Sequence, residues 1–432
     1  MVLEAAQRLT RDAISQCQLA RFNTVLKRAV RSPFYADRLG EVGATDVPLP
    51  SLDHVNDLPF TTKDDLRASY PHGMLAVPKE HLVRMHASSG TTGTPTAIFH
   101  TQNDLNSWAE LMARCMHMVG LRPSDVFINM SGYGLFTGGL GIHNGAERLG
   151  CLTIPSGAGN SRRQIKLIED FQATAVHIIP SYALHLASVI SDMGRNPADL
   201  SLRIALIGAE PHTDGIRRRI EELYGVKAYN SYGLSEMNGP GVAFECEYQD
   251  GLHVWEDAFY LEVINPETGE VLPDGELGEL VLTSLCREGM PIIRYRTRDL
   301  TRILPEPCPC GRVHRRIERI AGRSDDMMIV KGVNIYPMQI ERVLMQIGEV
   351  GDNYVIERYR DGFMDNIRVR VEVREEFFVE DMRALTGLQK RISSSLRDEI
   401  LITPKVELVE PKSLPKSEGK AHRVVDLRED NA

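Results

Sequence analysis

The sequence predicts an α/β protein with a large N-terminal domain and a small α+β domain at its C-terminal end. From about residue 80 to residue 285, short apolar runs alternate with helical stretches, which is typical of βαβ units on a largely parallel sheet. Glycines and prolines then punctuate short strands near residues 269–283, which indicates a β-rich subdomain. Beyond Gly322, strand and helix patterns of a small α+β unit follow.

The individual elements follow from the spacing of apolar residues. Residues 12–30 show the helical stripe of an amphipathic helix. The predicted buried strands are 126–130, 151–155, 176–180 and 204–207, and the predicted helices between them are 103–119, 162–171 and 213–224. A strand at 279–283 belongs to the β-rich subdomain.

The C-terminal unit has its own pattern. Ile367, Val369, Val371 and Val373 alternate with polar residues, as a strand with one buried face requires. A helix is predicted at about 379–400 and a strand at 406–409. With the boundary placed near Asp325, the predicted domains are residues 1–324 and 325–432.

Composition and charge exclude several classes of protein. The 432 residues carry a formal net charge of −9, with acids and bases interleaved, so a nucleic acid is not expected as the main partner. Seven cysteines in so long a chain do not predict a disulfide framework. We find neither the apolar run of a signal peptide nor that of a membrane span. We therefore expect a cytoplasmic protein without a membrane partner.

A loop of hydroxyls and glycines is the most informative stretch. It consists of Ser88, Ser89, Gly90, Thr91, Thr92 and Gly93, followed by Thr94 and Pro95. Glycines let successive N–H groups turn toward one anion, and hydroxyls add further donors, so the loop is predicted to bind phosphate. A solvated surface turn is the alternative. A Walker-type loop is excluded, because Gly93 is not followed by Lys and Ser or Thr.

This loop resembles the phosphate-binding signature of the adenylate-forming (acyl-CoA synthetase) superfamily. Further segments are similar to that superfamily in the same order, at residues 232–236, 295–299, 322–326 and 419–420. Segments at 132–139, 208–211, 238–241 and 414–420 resemble its phenylacetate–CoA ligase branch. The resemblance implies a large adenylate-forming domain with mixed βαβ sheets and a β-rich subdomain, and a small mobile α+β C-terminal domain. It also implies a reaction in which ATP, with Mg²⁺, activates an aryl acid as its AMP ester for transfer to coenzyme A.

The resemblance assigns a role to each matching residue of the nucleotide site. Glu236 is the predicted Mg²⁺ ligand and a catalytic residue, since Mg²⁺ takes hard oxygen ligands. Asp299 is predicted to accept hydrogen bonds from the ribose, and Arg323 to contact ribose or phosphate. The remaining ATP and AMP contacts are predicted at Gly208, Ala209, Glu210, Pro211, Asn230, Ser231, Tyr232, Gly233 and Ser235. As alternatives, Glu236 would begin an exposed helix, Asp299 would pair with Arg296 or Arg298, and Tyr232 would be a core aromatic.

The resemblance also assigns the moving parts and the acid pocket. Lys420 is the predicted catalytic lysine, Asp325 the predicted hinge, and Lys331, Gly332 and Val333 the predicted lining of the coenzyme A channel. Tyr133 and Phe136 are predicted to form the wall of the acid pocket, with core packing as the alternative. His212 stands where many phenylacetate ligases have Trp, which leaves the aryl acid open.

A structural zinc site is predicted from soft ligands. Cys308 and Cys310 have nearly the spacing of a zinc knuckle. Cys246 and His253, which flank a turn, would be the other two of four ligands. His314 is the reserve ligand, and free cysteines in a turn are the alternative.

Three other functions stay open at this point. The first is an adenylating enzyme with another acceptor, such as a carrier protein or the substrate of a coenzyme F390 synthetase. The second is a nucleotide sensor without catalysis, which would not need Glu236, Asp299 and Lys420 together. The third, a zinc-ribbon module for nucleic acid, fits the acidic charge poorly. Similar enzymes form homodimers, so we expect a homodimer.

Replacing Lys420 with Ala should abolish formation of the acyl-AMP and spare thioester formation from synthetic acyl-AMP. The reason is that an ammonium group stabilises the charge that develops on the α-phosphate only in the first step. The two half-reactions are measured separately, and an equal loss in both would contradict the assignment.

Overall fold

The computed structural model describes residues 9–45, 48–87, 95–135, 137–331, 333–361, 364–378, 382–414 and 423–428. Several predicted site residues lie outside this part of the chain, namely residues 88–93, Phe136, Gly332 and Lys420. Their roles stay predictions.

Among the described residues, the N-terminal region starts with three α-helices and a two-stranded ribbon. These are α1 (Arg11–Ala29), α2 (Pro33–Gly40), α3 (Lys63–Ala68), β1 (Leu82–Ala87) and β2 (Ala97–Thr101). Helices and strands then alternate as α4 (Gln102–Met118), β3 (Val126–Asn129), α5 (Thr137–Leu149), β4 (Leu152–Ile154), α6 (Ser161–Asp170), β5 (Ala175–Ile178), α7 (Pro180–Asp192), β6 (Ile204–Gly208), α8 (Asp214–Tyr224) and β7 (Lys227–Leu234). The strands that follow are β8 (Gly239–Glu245), β9 (Leu252–Val254), β10 (Phe259–Ile264), β11 (Gly278–Ser284), β12 (Tyr295–Thr301), β13 (Ile303–Leu304), β14 (Arg316–Ile317) and β15 (Gly322–Arg323).

A nine-stranded sheet in the order β13-β14-β9-β8-β7-β6-β5-β3-β4 forms the centre of this region. The strands from β7 to β4 pair in parallel, which confirms the predicted parallel sheet. The other four strands continue the same sheet in antiparallel pairing, which the sequence pattern did not predict.

Both faces of the parallel half are covered by helices, as the alternation of its side chains requires. Phe127 and Leu206 pack into the core that includes α4 and α5. Their neighbours Ile128 and Ile207 pack into the core that includes α6, α7 and α8. The carboxyl ends of β6 and β7 therefore lie between two helical layers.

A second, antiparallel sheet has the order β10-β11-β12-β15 and confirms the predicted β-rich subdomain. Its edge pairing places Asp299 of β12 opposite Arg323 of β15. Two residues that are 24 positions apart in the sequence become neighbours in this way.

The C-terminal unit is the predicted small α+β fold. Its elements are β16 (Met328–Val330), β17 (Val333–Ile335), α9 (Pro337–Leu344), β18 (Val350–Asp361), β19 (Met364–Val373), α10 (Met382–Ile400), β20 (Lys405–Val409) and β21 (Val424–Asp426). Its main sheet has the order β20-β19-β18-β21. The boundary predicted at Asp325 lies in the short link between β15 and β16. None of the helices among the described residues combines the length and the apolar character that crossing a bilayer requires.

Close packing of α4 against α5 depends on small residues. A Cβ added at Gly145 would lie 2.3 Å from the Cβ of Met112, and one added at Gly141 would lie 2.1 Å from the Trp108 ring. A Cβ at Gly138, in the first turn of α5, would meet nothing within 4 Å. The two helices thus approach each other at glycines in α5.

Replacing Gly145 with Ala should lower the free energy of unfolding by about 1–3 kcal/mol, because overpacking forces the helices apart. Replacing Gly138 with Ala in the same helix is the control. It should change the free energy of unfolding by no more than about 1 kcal/mol, in the stabilising direction. Urea denaturation measures both, and equal values would contradict this account of the packing.

Candidate active site

The predicted adenine-binding segment lies at the carboxyl ends of two parallel strands, where α/β sheets bind ligands. Gly208 ends β6 beside Ser231 of β7. A Cβ at Gly208 would stand 2.4 Å from the Ser231 carbonyl oxygen, so only glycine fits there. The Ser231 hydroxyl donates to the Ile207 carbonyl at 3.2 Å, which holds the two strand ends together.

The loop after β6 is fixed by its own side chains. Ala209 adopts a positive φ of 68°, which is unusual for a residue with a Cβ. The Glu210 carboxylate accepts hydrogen bonds from the Ser181 backbone N–H at 2.7 Å and from its hydroxyl at 3.1 Å, in the first turn of α7. Glu210 thus anchors the loop to a helix N-terminus. The adenine contacts predicted along Gly208–Pro211 stay predictions.

The buried Asp299 is the centre of a polar network. The Tyr232 hydroxyl donates to Asp299 Oδ2 at 2.6 Å, and Arg323 Nη1 donates to Asp299 Oδ1 at 3.0 Å. Arg323 also donates from Nε and Nη2 to both oxygens of Asp325, each at 2.8 Å. The structure therefore connects four residues that the sequence placed in three separate segments.

The alternative prediction, in which Asp299 pairs with Arg296 or Arg298, is wrong. Arg296 pairs with Glu279 through two bonds of 3.1 and 2.7 Å, and Arg298 lies 3.6 Å from the same carboxylate. Asp299 pairs instead with Arg323 on the neighbouring strand.

Burial raises the pKa of Asp299 to about 6, although Arg323 and the Tyr232 hydroxyl act in the opposite direction. The carboxylate is thus the dominant form at neutral pH, and a modest fall in pH adds a proton. A deprotonated Asp299 can accept hydrogen bonds from hydroxyl groups of a ligand.

Glu236 lies in a turn after β7 and is buried, which contradicts the alternative of an exposed helix start. Tyr295 donates its hydroxyl hydrogen to Glu236 Oε1 at 3.2 Å. The fully buried Arg287 donates to the Glu236 carbonyl at 2.8 Å and to the Phe99 carbonyl at 2.9 Å. No role was predicted for Tyr295, although it stands four residues before Asp299 on β12, and none was predicted for Arg287.

Ser235 and Gly233 stand next to Glu236 and Tyr232 in the sequence, and both have close contacts in the folded chain. The Ser235 hydroxyl lies 3.0 Å from that of Thr137, another residue without a predicted role. A Cβ at Gly233 would lie 2.0 Å from the Gly239 carbonyl oxygen, so this strand pair requires glycine. The Asn230 backbone N–H donates to the side-chain carboxylate of Glu245 (Oε2) at 2.7 Å, so a contact of Asn230 with the nucleotide stays a prediction.

The described residues of the predicted acid pocket and channel have local contacts of their own. Tyr133 is half-buried, and its hydroxyl accepts from Asn129 Nδ2 at 3.0 Å and lies 3.3 Å from His143 Nδ1. Lys331 and Val333 flank the turn between β16 and β17, where Lys331 is exposed with a φ of 51°. Their contacts with an acid and with coenzyme A stay predictions.

The four predicted zinc ligands do meet. One ligand atom from each of Cys246, His253, Cys308 and Cys310 lies within 4.8 Å of the others. The Cys246 and Cys308 sulfurs are 3.6 Å apart, and the Cys310 sulfur is 3.3 Å from His253 Nε2. His253 Nδ1 lies 3.0 Å from the His314 carbonyl, which leaves Nε2 for a metal. The reserve ligand His314 is therefore a neighbour of the cluster that supports His253.

Comparison with known proteins agrees with this arrangement. Residues 27–286 match the family of AMP-binding enzymes, and residues 332–428 match the AMP-binding enzyme C-terminal domain. The chain is 48% identical over 429 residues to the phenylacetate-coenzyme A ligase of Pseudomonas putida, covering 99% of this chain and 97% of that protein. It is 47% identical to the phenylacetate-coenzyme A ligase of Thermus thermophilus, over 93% of this chain and 95% of that protein.

Solved structures of a 2-hydroxyisobutyryl-CoA ligase are similar over the whole chain. In its postadenylation state that enzyme gives a TM-score of 0.93 at 32% identity, with 99% of this chain and 92% of that chain covered. In its thioesterification state it gives 0.72 at 33% identity with the same coverage. The two states of one protein thus differ in how well they superpose on this chain.

With its two matched domains, its Asp299 network and its buried Glu236, the chain belongs to the adenylate-forming enzymes, and among them to the AMP-forming acid–coenzyme A ligases. More narrowly, its sequence identity of 43–48% to four phenylacetate-coenzyme A ligases, over nearly the whole chain, places it in the phenylacetate–CoA ligase family.

Adenosine should bind more weakly as the pH falls below 6. Because the raised pKa of about 6 belongs to the folded site without ligand, acidification adds a proton to Asp299 and removes an acceptor for the ribose hydroxyls. The dissociation constant should rise by up to about tenfold per pH unit below that value. Calorimetric titration measures it, and adenosine avoids the titrating phosphate of AMP.

Asp299→Asn is the control for this pH dependence. The variant should bind adenosine weakly and with the same affinity from pH 5 to pH 8. A wild-type affinity that does not change across this range would contradict the assignment of Asp299 to the ribose.

Proposed function

We propose that this protein joins phenylacetate, or an aryl acid close to it, to coenzyme A through an acyl-AMP intermediate, with release of AMP and pyrophosphate. The observation that carries the choice of acid is the identity of 43–48% with four phenylacetate-coenzyme A ligases over nearly the whole chain. The nucleotide network of Asp299, Arg323 and Tyr232 supports the adenylating step.

In the first step an oxygen of the acid carboxylate attacks the α-phosphorus of ATP, and the bond to the leaving pyrophosphate breaks. The protein has to hold both reactants in line and to neutralise phosphate charge. Asp299 would hold the ribose, and the loop of residues 88–93 with Lys420 would surround the phosphates. Glu236 fits an Mg²⁺ ion, since its buried carboxylate supplies a hard oxygen ligand, and the bound ion would neutralise phosphate charge.

In the second step the thiol of coenzyme A attacks the acyl carbonyl carbon, the thiol proton leaves, and AMP departs. We propose that the domain of residues 325–432 turns about Asp325 between the steps, and that Lys331, Gly332 and Val333 then line the pantetheine channel. The position of Asp325 in the link between β15 and β16 supports this hinge, as does its bond to Arg323.

The acid would enter beside Tyr133, whose phenol is held by Asn129 and His143. A ring fixed in this way can stack on an aryl acid with little loss of side-chain freedom. His212, which replaces the Trp common in the branch, is buried, and burial lowers its pKa to about 3. It is therefore neutral, and it introduces no charge near the site.

Phenylacetate should support ATP–pyrophosphate exchange without coenzyme A, and should give phenylacetyl-CoA with AMP when coenzyme A is added. 2-Hydroxyisobutyrate, the acid of the structural relative, is the control. We expect a kcat/KM for phenylacetate at least about tenfold higher, because the aryl ring adds buried apolar contacts. Release of ADP instead of AMP, or a preference for the small acid, would contradict the proposal.

We further propose that Cys246, His253, Cys308 and Cys310 bind one structural Zn²⁺. Three thiolates and one imidazole form a closed tetrahedral set, and the separations of 3.6 and 3.3 Å are those of atoms that share one ion. With all four positions taken by the protein, such an ion has no place for a substrate.

The purified protein should contain one zinc per chain, and Cys308→Ser should lose it and unfold at a lower temperature. The loss of a structural zinc ligand removes binding free energy that contributes to folding. Cys115→Ser is the control, since this buried cysteine lies outside the cluster and should leave the zinc content unchanged. Elemental analysis measures the zinc content of the wild type and of both variants. A metal-free wild-type protein of normal stability would contradict the zinc site.

The homodimer and the cytoplasmic location belong to the same proposal. Sedimentation velocity tests the first, and fractionation of cells tests the second.

A further inference from the structure

A carboxylate of the C-terminal domain is buried against the N-terminal domain. Glu341 lies on α9 and is only 3% exposed. Its Oε2 accepts the hydroxyl hydrogen of Tyr354, from β18 of the same domain, at 2.6 Å. Its Oε1 accepts the backbone N–H of Thr213, in the N-terminal domain, at 3.1 Å. Glu341 therefore joins the two domains by one hydrogen bond to a main-chain donor.

An apolar contact lies beside this hydrogen bond. Met345, at the end of α9, packs against the core of α6, α7 and α8 and also against the core of the C-terminal domain. A Cβ at Gly215 would lie 2.9 Å from the Met345 Cβ, so the first turn of α8 and the end of α9 are in close contact. Glu341 and Thr213 are both buried, so the hydrogen bond between them is itself largely removed from solvent.

Thr213 is close to the nucleotide-binding segment in the sequence. It caps α8, its hydroxyl accepts the Ile216 N–H at 3.4 Å, and it follows Pro211 by two residues. A carboxylate at the N-terminus of a helix is favoured by the helix dipole. Glu341 thus contacts the segment that begins at Gly208 from the opposite domain.

We propose that Glu341 is a positioning residue that holds the C-terminal domain in the orientation of the adenylating step. The proposal rests on the two-step function proposed above. This chain superposes on the postadenylation state of its structural relative with a TM-score of 0.93, against 0.72 for the thioesterification state. The Glu341–Thr213 bond belongs to the first arrangement.

The bond has to break when the domain turns. Tyr354 moves with Glu341, whereas Thr213 stays with α8, so rotation keeps one partner of the carboxylate and loses the other. The bond therefore favours the first orientation over the second, and its removal shifts the balance between the half-reactions in a known direction.

The first test compares Glu341→Ala with Glu341→Gln in the two half-reactions. The ratio of the rate of acid-dependent ATP–pyrophosphate exchange to the rate of thioester formation from synthetic acyl-AMP should fall about tenfold in Glu341→Ala, as expected for loss of a hydrogen bond to a charged acceptor. Glu341→Gln keeps an oxygen acceptor for the Thr213 N–H, so its ratio should stay near that of the wild type.

A second pair of variants leaves Glu341 intact. Thr213→Pro and Thr213→Ala both lose the capping hydroxyl, but only Thr213→Pro loses the N–H that Glu341 binds. The φ of −87° at Thr213 is close to that of proline. Thr213→Pro should lower the ratio as Glu341→Ala does, and Thr213→Ala should not. The same ratio in both Thr213 variants, or a wild-type ratio in Glu341→Ala, would overturn the proposal.

Small-angle X-ray scattering supplies a readout that needs no substrate. The scattering curves of Glu341→Ala and Thr213→Pro should deviate from that of the wild type, because the C-terminal domain leaves its first orientation, and those of Glu341→Gln and Thr213→Ala should not. This comparison tests the role of Glu341 separately from the proposed aryl-acid substrate. An enzyme that used another acid would still show the difference in scattering between the variants. Identical scattering for all five proteins would overturn the role of Glu341 whichever acid is used.

Discussion

The interior position of the Asp299 carboxylate is the constraint on which the site depends. A carboxylate so far from water is costly unless donors surround it, and Tyr232 and Arg323 supply them. Arg323 can do so only because β15 pairs with β12, and it uses two further donors, on Nε and Nη2, for Asp325. One guanidinium thereby connects the nucleotide site, the edge of the second sheet and the link to the C-terminal domain.

Much of the fold could be predicted from periodicity alone. The strands at Val126–Asn129 and Ile204–Gly208 are continuous apolar runs between amphipathic helices, and they lie where the pattern placed them. The antiparallel half of the large sheet could not be predicted in this way. Strands such as β13 and β14 have only two residues each, too few for any period, and they exist because distant segments pair with them.

The site shows the same division between local and distant causes. Glu236, Asp299 and Arg323 stand in short motifs, so resemblance to a family finds them. Arg287 and Glu341 stand in no such motif. Local sequence patterns do not predict that a charged side chain will be buried, as both of these are. The cysteine cluster was predictable because soft ligands at short spacing are rare in a chain of this composition.

With zinc bound as proposed, the cysteine cluster would also protect an edge of the large sheet. Its four residues come from the position just after β8, from β9 and from the connection between β13 and β14, so a shared ion would cross-link the segments where the backbone ladder is shortest. Strands of two or three residues contribute few hydrogen bonds of their own. If this cross-link opened, β9 would present unpaired N–H and C=O groups to other chains, and aggregation by strand addition would compete with the native sheet.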